Sequence, residues 1–94
     1  MRARALAEVR VDGERTLGAT EHALAEDAHL LDPTERATID HAMAVLREAL
    51  PGDDRVVTRA ALDALNRATE PFAARRMDKS VAQALTGKRV DALG

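Results

Sequence analysis

The tetrapeptide Asp32-Pro33-Thr34-Glu35 fixes where one helix must begin. Asp32 offers a side-chain oxygen to a free first-turn N–H, and Pro33 suits a first helical position that needs no N–H partner. Glu35 sits three residues after the cap, placed to bond back to its amide. Ile39, Ala42, Met43, Leu46 and Leu50 follow at spacings of three, one, three and four, which make one helical stripe. Pro51-Gly52 then stops it. The signal predicts a helix over about 33–50.

The rest of the chain must pack on that helix with very little aromatic surface. Of the 94 residues 46% are apolar, yet Phe72 is the only ring. A core of Ala, Leu, Val and Met suits close helix packing better than a sandwich or barrel, where aromatic residues are favoured. Ala, Leu, Arg and Glu add helix propensity. The expected class is all-α, in a single domain 1–94 that buries roughly 60–70% of its unfolded surface.

Upstream, residues 2–30 read as one long helix with a seam at Leu6, Val9, Gly13, Leu17, Leu24 and Leu31. Gly13 and Gly18 each cost roughly 1 kcal/mol relative to Ala, and glycine there permits a kink or the close approach of another backbone. They are candidate hinges. Met1-Arg2-Ala3-Arg4 carries no cap and starts in mid-pattern, like a piece of a longer helix. Downstream, Asp53-Asp54 can cap a third helix over about 54–69, with Val57, Ala61, Leu65 and Ala68 inward. Pro71 predicts a break, after which Thr69 or Glu70 caps a fourth helix over about 71–86. Phe72, Met77, Val81 and Leu85 would face inward from it, Gly87 would stop it, and 87–94 would form a frayed tail.

Short loops between such helices favour antiparallel neighbours, hence a small antiparallel helical bundle. The first helix is too long for those partners, so its N-terminal half is expected to protrude. Leu6 and Val9 would then lack packing, and with Leu17 they form a candidate self-association stripe through which the chain would form a homo-oligomer.

The residues offer little chemistry. There is no cysteine, hence no disulfide, thiolate metal site or cysteine nucleophile. His22 and His29 share a helix face but stand on the order of 10 Å apart, too far for one metal ion to bridge, and His41 lies on the next helix. No phosphate loop, nucleophile elbow or zincin motif is present, so no catalytic, cofactor-binding or metal residue is assigned. No run approaches a membrane span, and a net charge of −2 argues against a nucleic-acid binder. The charge is uneven: residues 21–54 carry a net −7 and residues 75–94 a net +3. An acidic face of this kind either steers a partner or is a solvated helical surface. Arg75-Arg76 could clamp a carboxylate or phosphate, but pairing with acids of a neighbouring helix is the better reading.

Two stretches carry a resemblance. Phe72-Ala73-Ala74-Arg75-Arg76-Met77-Asp78-Lys79-Ser80-Val81, followed by Ala84-Leu85-Thr86-Gly87-Lys88-Arg89-Val90-Asp91, closely resembles the C-terminal end of HscA chaperones, the DnaK-class proteins of iron–sulfur cluster assembly. Leu30-Leu31-Asp32-Pro33-Thr34-Glu35-Arg36 with Ile39-Asp40 looks like the turn into the second helix of their helical lid, and Gly52-Asp53-Asp54 like the next turn. The resemblance implies a cytoplasmic parent with an ATPase domain using ATP and magnesium, a β-sandwich that grips peptide, and this chain as the lid over it. It further implies an IscU-type scaffold as client and an HscB-type co-chaperone. This chain would hold no cofactor and hydrolyse no ATP. By resemblance, Glu14 and Leu17 would lie over the peptide groove, Glu14 in the place of an acidic latch residue. Gly18 stands where the family has a His, so the latch would be made differently. The rival readings are a general DnaK-class lid, an independent helical adaptor using its acidic face, and a metal- or ligand-binding bundle.

Overall fold

The computed structural model describes the backbone of residues 2–93 and the side chains of residues 4–86. Three helices account for nearly all of it: α1 (Arg2–Asp27), α2 (Pro33–Ala49) and α3 (Arg55–Leu93), with one 3-10 turn at Ala28–Leu30. No strand occurs among the described residues. Contacts at the two ends set the topology. Arg10 of α1 donates to the carbonyls of Leu50 (3.0 Å) and Gly52, where α2 passes into α3. At the other end Asp27 meets Arg76 and Lys79 of α3. The chain therefore runs up, down and up again, with α2 antiparallel to both other helices, an all-α bundle as expected.

The starts of α2 and α3 follow their caps. Asp32 Oδ1 accepts from the Glu35 N–H (2.8 Å) and Glu35 Oε1 accepts from the Asp32 N–H (3.0 Å), a reciprocal capping box with Pro33 in the first turn. Asp54 Oδ1 accepts from the N–H groups of Val56 (2.9 Å) and Val57 (3.1 Å). Each satisfies donors that a helix start otherwise leaves open.

One core joins the three helices: Val9, Leu17 and Leu24 from α1, Ile39, Met43 and Leu46 from α2, and Leu62, Leu65 and Phe72 from α3. The predicted stripe of α2 is buried at Ile39, Ala42, Met43 and Leu46. Gly13 serves close approach rather than a kink, since α1 is continuous through it. A Cβ there would stand 2.9 Å from Leu50 Cδ2, closer than carbon atoms pack. Gly18 faces open space instead.

The structure departs from expectation at four places. The predicted break at Pro71 is absent, and α3 continues through it and through Gly87. Pro71 cannot donate to the carbonyl one turn back, which weakens that turn. Immediately beyond it, however, Phe72 is buried and Arg75, Arg76 and Lys79 are tied to α2, α1 and the turn between them. These anchors hold the distal segment in line with the rest of α3. The expected tail therefore continues α3 as far as Leu93, and Gly94 lies outside the described residues.

The inward register of α3 is also shifted by one residue at its start. Val57 is 53% exposed and Thr58 is fully buried. Its hydroxyl donates to the Asp54 carbonyl (3.0 Å) and lies 3.3 Å from the Ala49 carbonyl, so burial leaves no polar atom unpaired.

The protrusion is on the other helix. Val9 is 2% exposed, Leu17 is buried and Leu6 packs against the core, so the candidate self-association stripe Leu6–Val9–Leu17 is not a surface. The residues that cover it are the end of α2 and the start of α3, with which the first half of α1 is level. What outruns its neighbours is α3. Its 39 residues at 1.5 Å each span about 58 Å, which matches the 58 Å long dimension of the molecule. Met77, Val81 and Leu85, expected inward, are exposed at 68%, 52% and 58% because they lie on the face of α3 opposite Phe72, Arg76 and Lys79, which carry the contacts to the bundle.

Candidate functional site

Two surfaces carry the arguments about function: a charged junction at the distal end of the bundle and the outer face of α1.

The junction is built on the helix cap. Glu35 closes the capping box and also receives Arg75, whose Nη2 lies 2.7 Å from Oε2. Arg75 donates as well to the Leu30 carbonyl (3.0 Å), an acceptor in the 3-10 turn. One guanidinium thus fastens α3 to both sides of the turn between α1 and α2. Hydrogen bonds from Arg75 and from the Asp32 amide pull the Glu35 carboxyl from its ordinary 4.5 down to about 2. Beside it Asp27, only 5% exposed in its side chain, takes Lys79 and the Arg76 Nε (2.8 Å). Those two cations, Lys79 foremost, hold its carboxyl below the usual range. Arg76 also reaches Glu26 (3.1 Å) and lies 6.0 Å from the Phe72 ring centre.

Arg75-Arg76 is therefore a structural pair, as the better of the two sequence readings has it. Other acids of residues 21–54 also have partners within the chain. Glu21 pairs with Arg47 (2.8 Å), Asp40 with Arg36 (3.0 Å) and Glu26 with His22 (2.9 Å). Asp32 and Asp54 cap helices, which leaves few carboxylates of that segment for a partner. Among the described residues no group of three or more His, Asp or Glu side chains is placed to hold a metal ion. No helix among them is long and apolar enough to cross a membrane.

The outer face of α1 has the opposite character. Ala7, Val11, Glu14 and Gly18 fall on one side of the helix, turned away from the seam that packs on α2 and α3. Val11 is 52% exposed and lines a shallow apolar depression with Arg4, Ala7, Glu8 and Asp12. Glu14 is exposed, and nothing stands within 4 Å of a Cβ built on Gly18. Of the two residues that the resemblance sets over a peptide groove, Glu14 is on this surface and Leu17 is in the core. The sequence reading missed Val11, which breaks no rule as an isolated apolar residue. Its place opposite the inward seam was the available signal.

No family model matches the chain. Curated relatives do match it over its full length. It is 53% identical over 94 residues to the chaperone protein HscA homologue of Ralstonia pickettii (strain 12J), covering all of this chain and 15% of the relative. It is 53% identical over 91 residues to the HscA homologue of Azoarcus sp. (strain BH72), and 54% over 91 residues to that of Burkholderia multivorans (strain ATCC 17616 / 249). Each of these two alignments covers 97% of this chain and 15% of the relative. The chain thus spans about 15% of the length of the curated relatives it matches. At this identity over its whole length, the chain is homologous to the C-terminal segment of HscA chaperones.

Proposed function

We propose that this chain is the helical lid of an HscA-type chaperone, which closes over bound client and slows its release. The observation that carries the reading is the division of α1 into two committed faces. Its inner face is buried in the bundle through Val9, Leu17 and Leu24, while Ala7, Val11, Glu14 and Gly18 on its outer face are exposed among the described residues. A continuous helix with one face anchored and the other presenting small and apolar residues beside the exposed carboxylate of Glu14 suits a cover for another domain.

In this reading the opposing surface is the parent's own β-sandwich, and Glu14 makes the polar latch contact. Gly18 lets the two backbones approach where a His side chain would otherwise stand. Leu17 acts from the core by holding that face in place. ATP and magnesium, the IscU-type scaffold and the HscB-type co-chaperone belong to the remaining 85% of such a parent, and the setting is the cytoplasm. The adaptor reading loses support because its acidic residues are paired within the chain.

The test is an add-back experiment. Release of a labelled scaffold peptide is followed by stopped flow from the intact chaperone, from its lidless form, and from the lidless form plus this chain. Slow, fast and partly slowed release, in that order, support the lid. Identical release from all three contradicts it.

A further inference from the structure

Two surfaces on this chain have no partner among the described residues. The first is the stripe Met77, Val81 and Leu85 on the free part of α3, with each residue more than half exposed. At 100° per residue they share one face with Asp78, opposite the face that carries Phe72, Arg76 and Lys79 into the bundle. Asp78 is exposed and has no ion-pair partner among the described residues. The second surface is a groove of about 360 Å³ between α1 and α3. Ala19, Ala23, Ala73 and the edge of Phe72 form its floor, Arg15 and Asn66 stand at its rim, and no carboxylate lines it. Arg15 is exposed and also lacks an ion-pair partner among the described residues.

We propose that these two surfaces meet between two copies of this chain: the Met77–Val81–Leu85 stripe of each copy seats in the α1–α3 groove of the other, with Asp78 facing Arg15. The complementarity is chemical. An apolar stripe bearing one free carboxylate matches an apolar-floored groove bearing one free guanidinium and no acid. In a chain with 16 acidic residues, a groove without one is a specific feature of charge placement.

The arrangement on α3 favours a second copy over a foreign partner. Arg76 is the last residue of α3 that lines the groove, and Met77 is the first of the stripe. Two α3 helices crossing in opposite directions near that point bring each stripe onto the other's groove simultaneously. The contact is then self-complementary and closes as a two-fold dimer. A single stripe-and-groove contact is small, and reciprocity doubles the surface removed from water. The stripe is an available apolar surface, whereas Val9 and Leu17 are buried and Leu6 is packed against the core.

Sedimentation of this chain from about 10 µM to about 1 mM tests the proposal, a range that brackets weak association. A concentration-dependent dimer is expected. Val81→Asp should weaken it at least about tenfold, since a carboxylate would be desolvated in an apolar groove. Arg15→Glu and Asp78→Arg should each weaken it by about fivefold or more through like-charge contacts. Combined, they should return the dissociation constant to within about threefold of the parent, because the pair is restored in reverse. All three sites are exposed, and unchanged helicity by circular dichroism confirms an intact fold. A monomer at every concentration overturns the proposal and assigns the stripe to a different chain. A dimer that responds to Val81→Asp but neither weakens with Arg15→Glu nor recovers in the double variant also overturns it, since the copies would then meet stripe to stripe.

Discussion

Gly13 and Gly18 lie five residues apart on the same helix, yet the structure gives them opposite sensitivities to a single methyl group. In a helix interior Ala is more stable than Gly by about 1 kcal/mol, because glycine loses more backbone freedom on folding. At Gly18 a Cβ meets nothing within 4 Å, so Gly18→Ala should gain that full amount. For a domain of this size the gain corresponds to a rise in Tm of about 4–8 °C. At Gly13 the same Cβ would stand 2.9 Å from Leu50 Cδ2 and 3.4 Å from Leu46 Cδ1. Overpacking of that kind costs about 1–3 kcal/mol. Leu50 is half-buried at the end of α2 and can turn aside, which places the penalty at the lower end. Gly13→Ala should therefore fall between neutral and about 2 kcal/mol destabilising after the same propensity gain. The two variants should differ by at least about 1 kcal/mol in urea unfolding with equal m-values. Equal stabilisation by both would refute the packing argument at Gly13. A loss at Gly18 would refute the claim that this face is open within the chain.

The shifted register of α3 predicts that Leu65→Ala, at a fully buried position, costs about 2–5 kcal/mol, while Val57→Ala changes stability by less than about 0.5 kcal/mol. Urea midpoints separate these outcomes, and comparable losses would restore Val57 to the core. Pro71→Ala should stabilise the chain by about 1 kcal/mol or more and slow amide exchange around Phe72 to Arg76, because it supplies the missing donor to a helix that is already continuous. Faster exchange there would contradict a continuous α3. The junction sets the acid limb. Glu35 has a folded value of about 2 against an ordinary 4.5, so its contribution is fully present above about pH 4.5 and is lost as pH falls through 2. Asp27 is shifted in the same direction. Glu35→Gln should flatten the decline in stability between pH 4.5 and 2, and an unchanged slope would rule out the Arg75 contact as its cause. Asp54→Ala should cost about 1 kcal/mol through the lost cap on α3.

Local signals in the sequence were reliable where they rested on spacing within one helix. The Asp32–Glu35 capping box and the Ile39–Leu46 stripe appear as predicted, because both depend on spacing within a single helix. The seam of α1 was likewise legible, but the covering of Leu6 and Val9 was not. It depends on how far along α1 the end of α2 and the start of α3 reach, and that is a property of the assembled bundle. Pro71 misled for a similar reason. A proline in isolation ends a helix, but here the ion pairs of Arg75, Arg76 and Lys79 with residues about 40 to 50 positions away hold the helix beyond it. At the start of α3, Val57 and Thr58 are a choice between an apolar residue and a hydroxyl. The hydroxyl is the buried one because the Asp54 carbonyl is in reach, and sequence spacing does not reveal that acceptor. The outer face of α1 was half legible: Glu14 came from a resemblance, while Val11 and the open space at Gly18 came from the structure.

Whether the outer face of α1 meets the client-binding part of the parent is best measured as peptide release from a full-length HscA-type chaperone carrying Val11→Asp with Glu14→Lys. Both residues are exposed, so the bundle should remain folded. The lid reading predicts that release accelerates toward the lidless rate while ATP hydrolysis in the absence of client is unchanged. Release at the unaltered rate, with the altered protein fully folded, would contradict a covering role for this face.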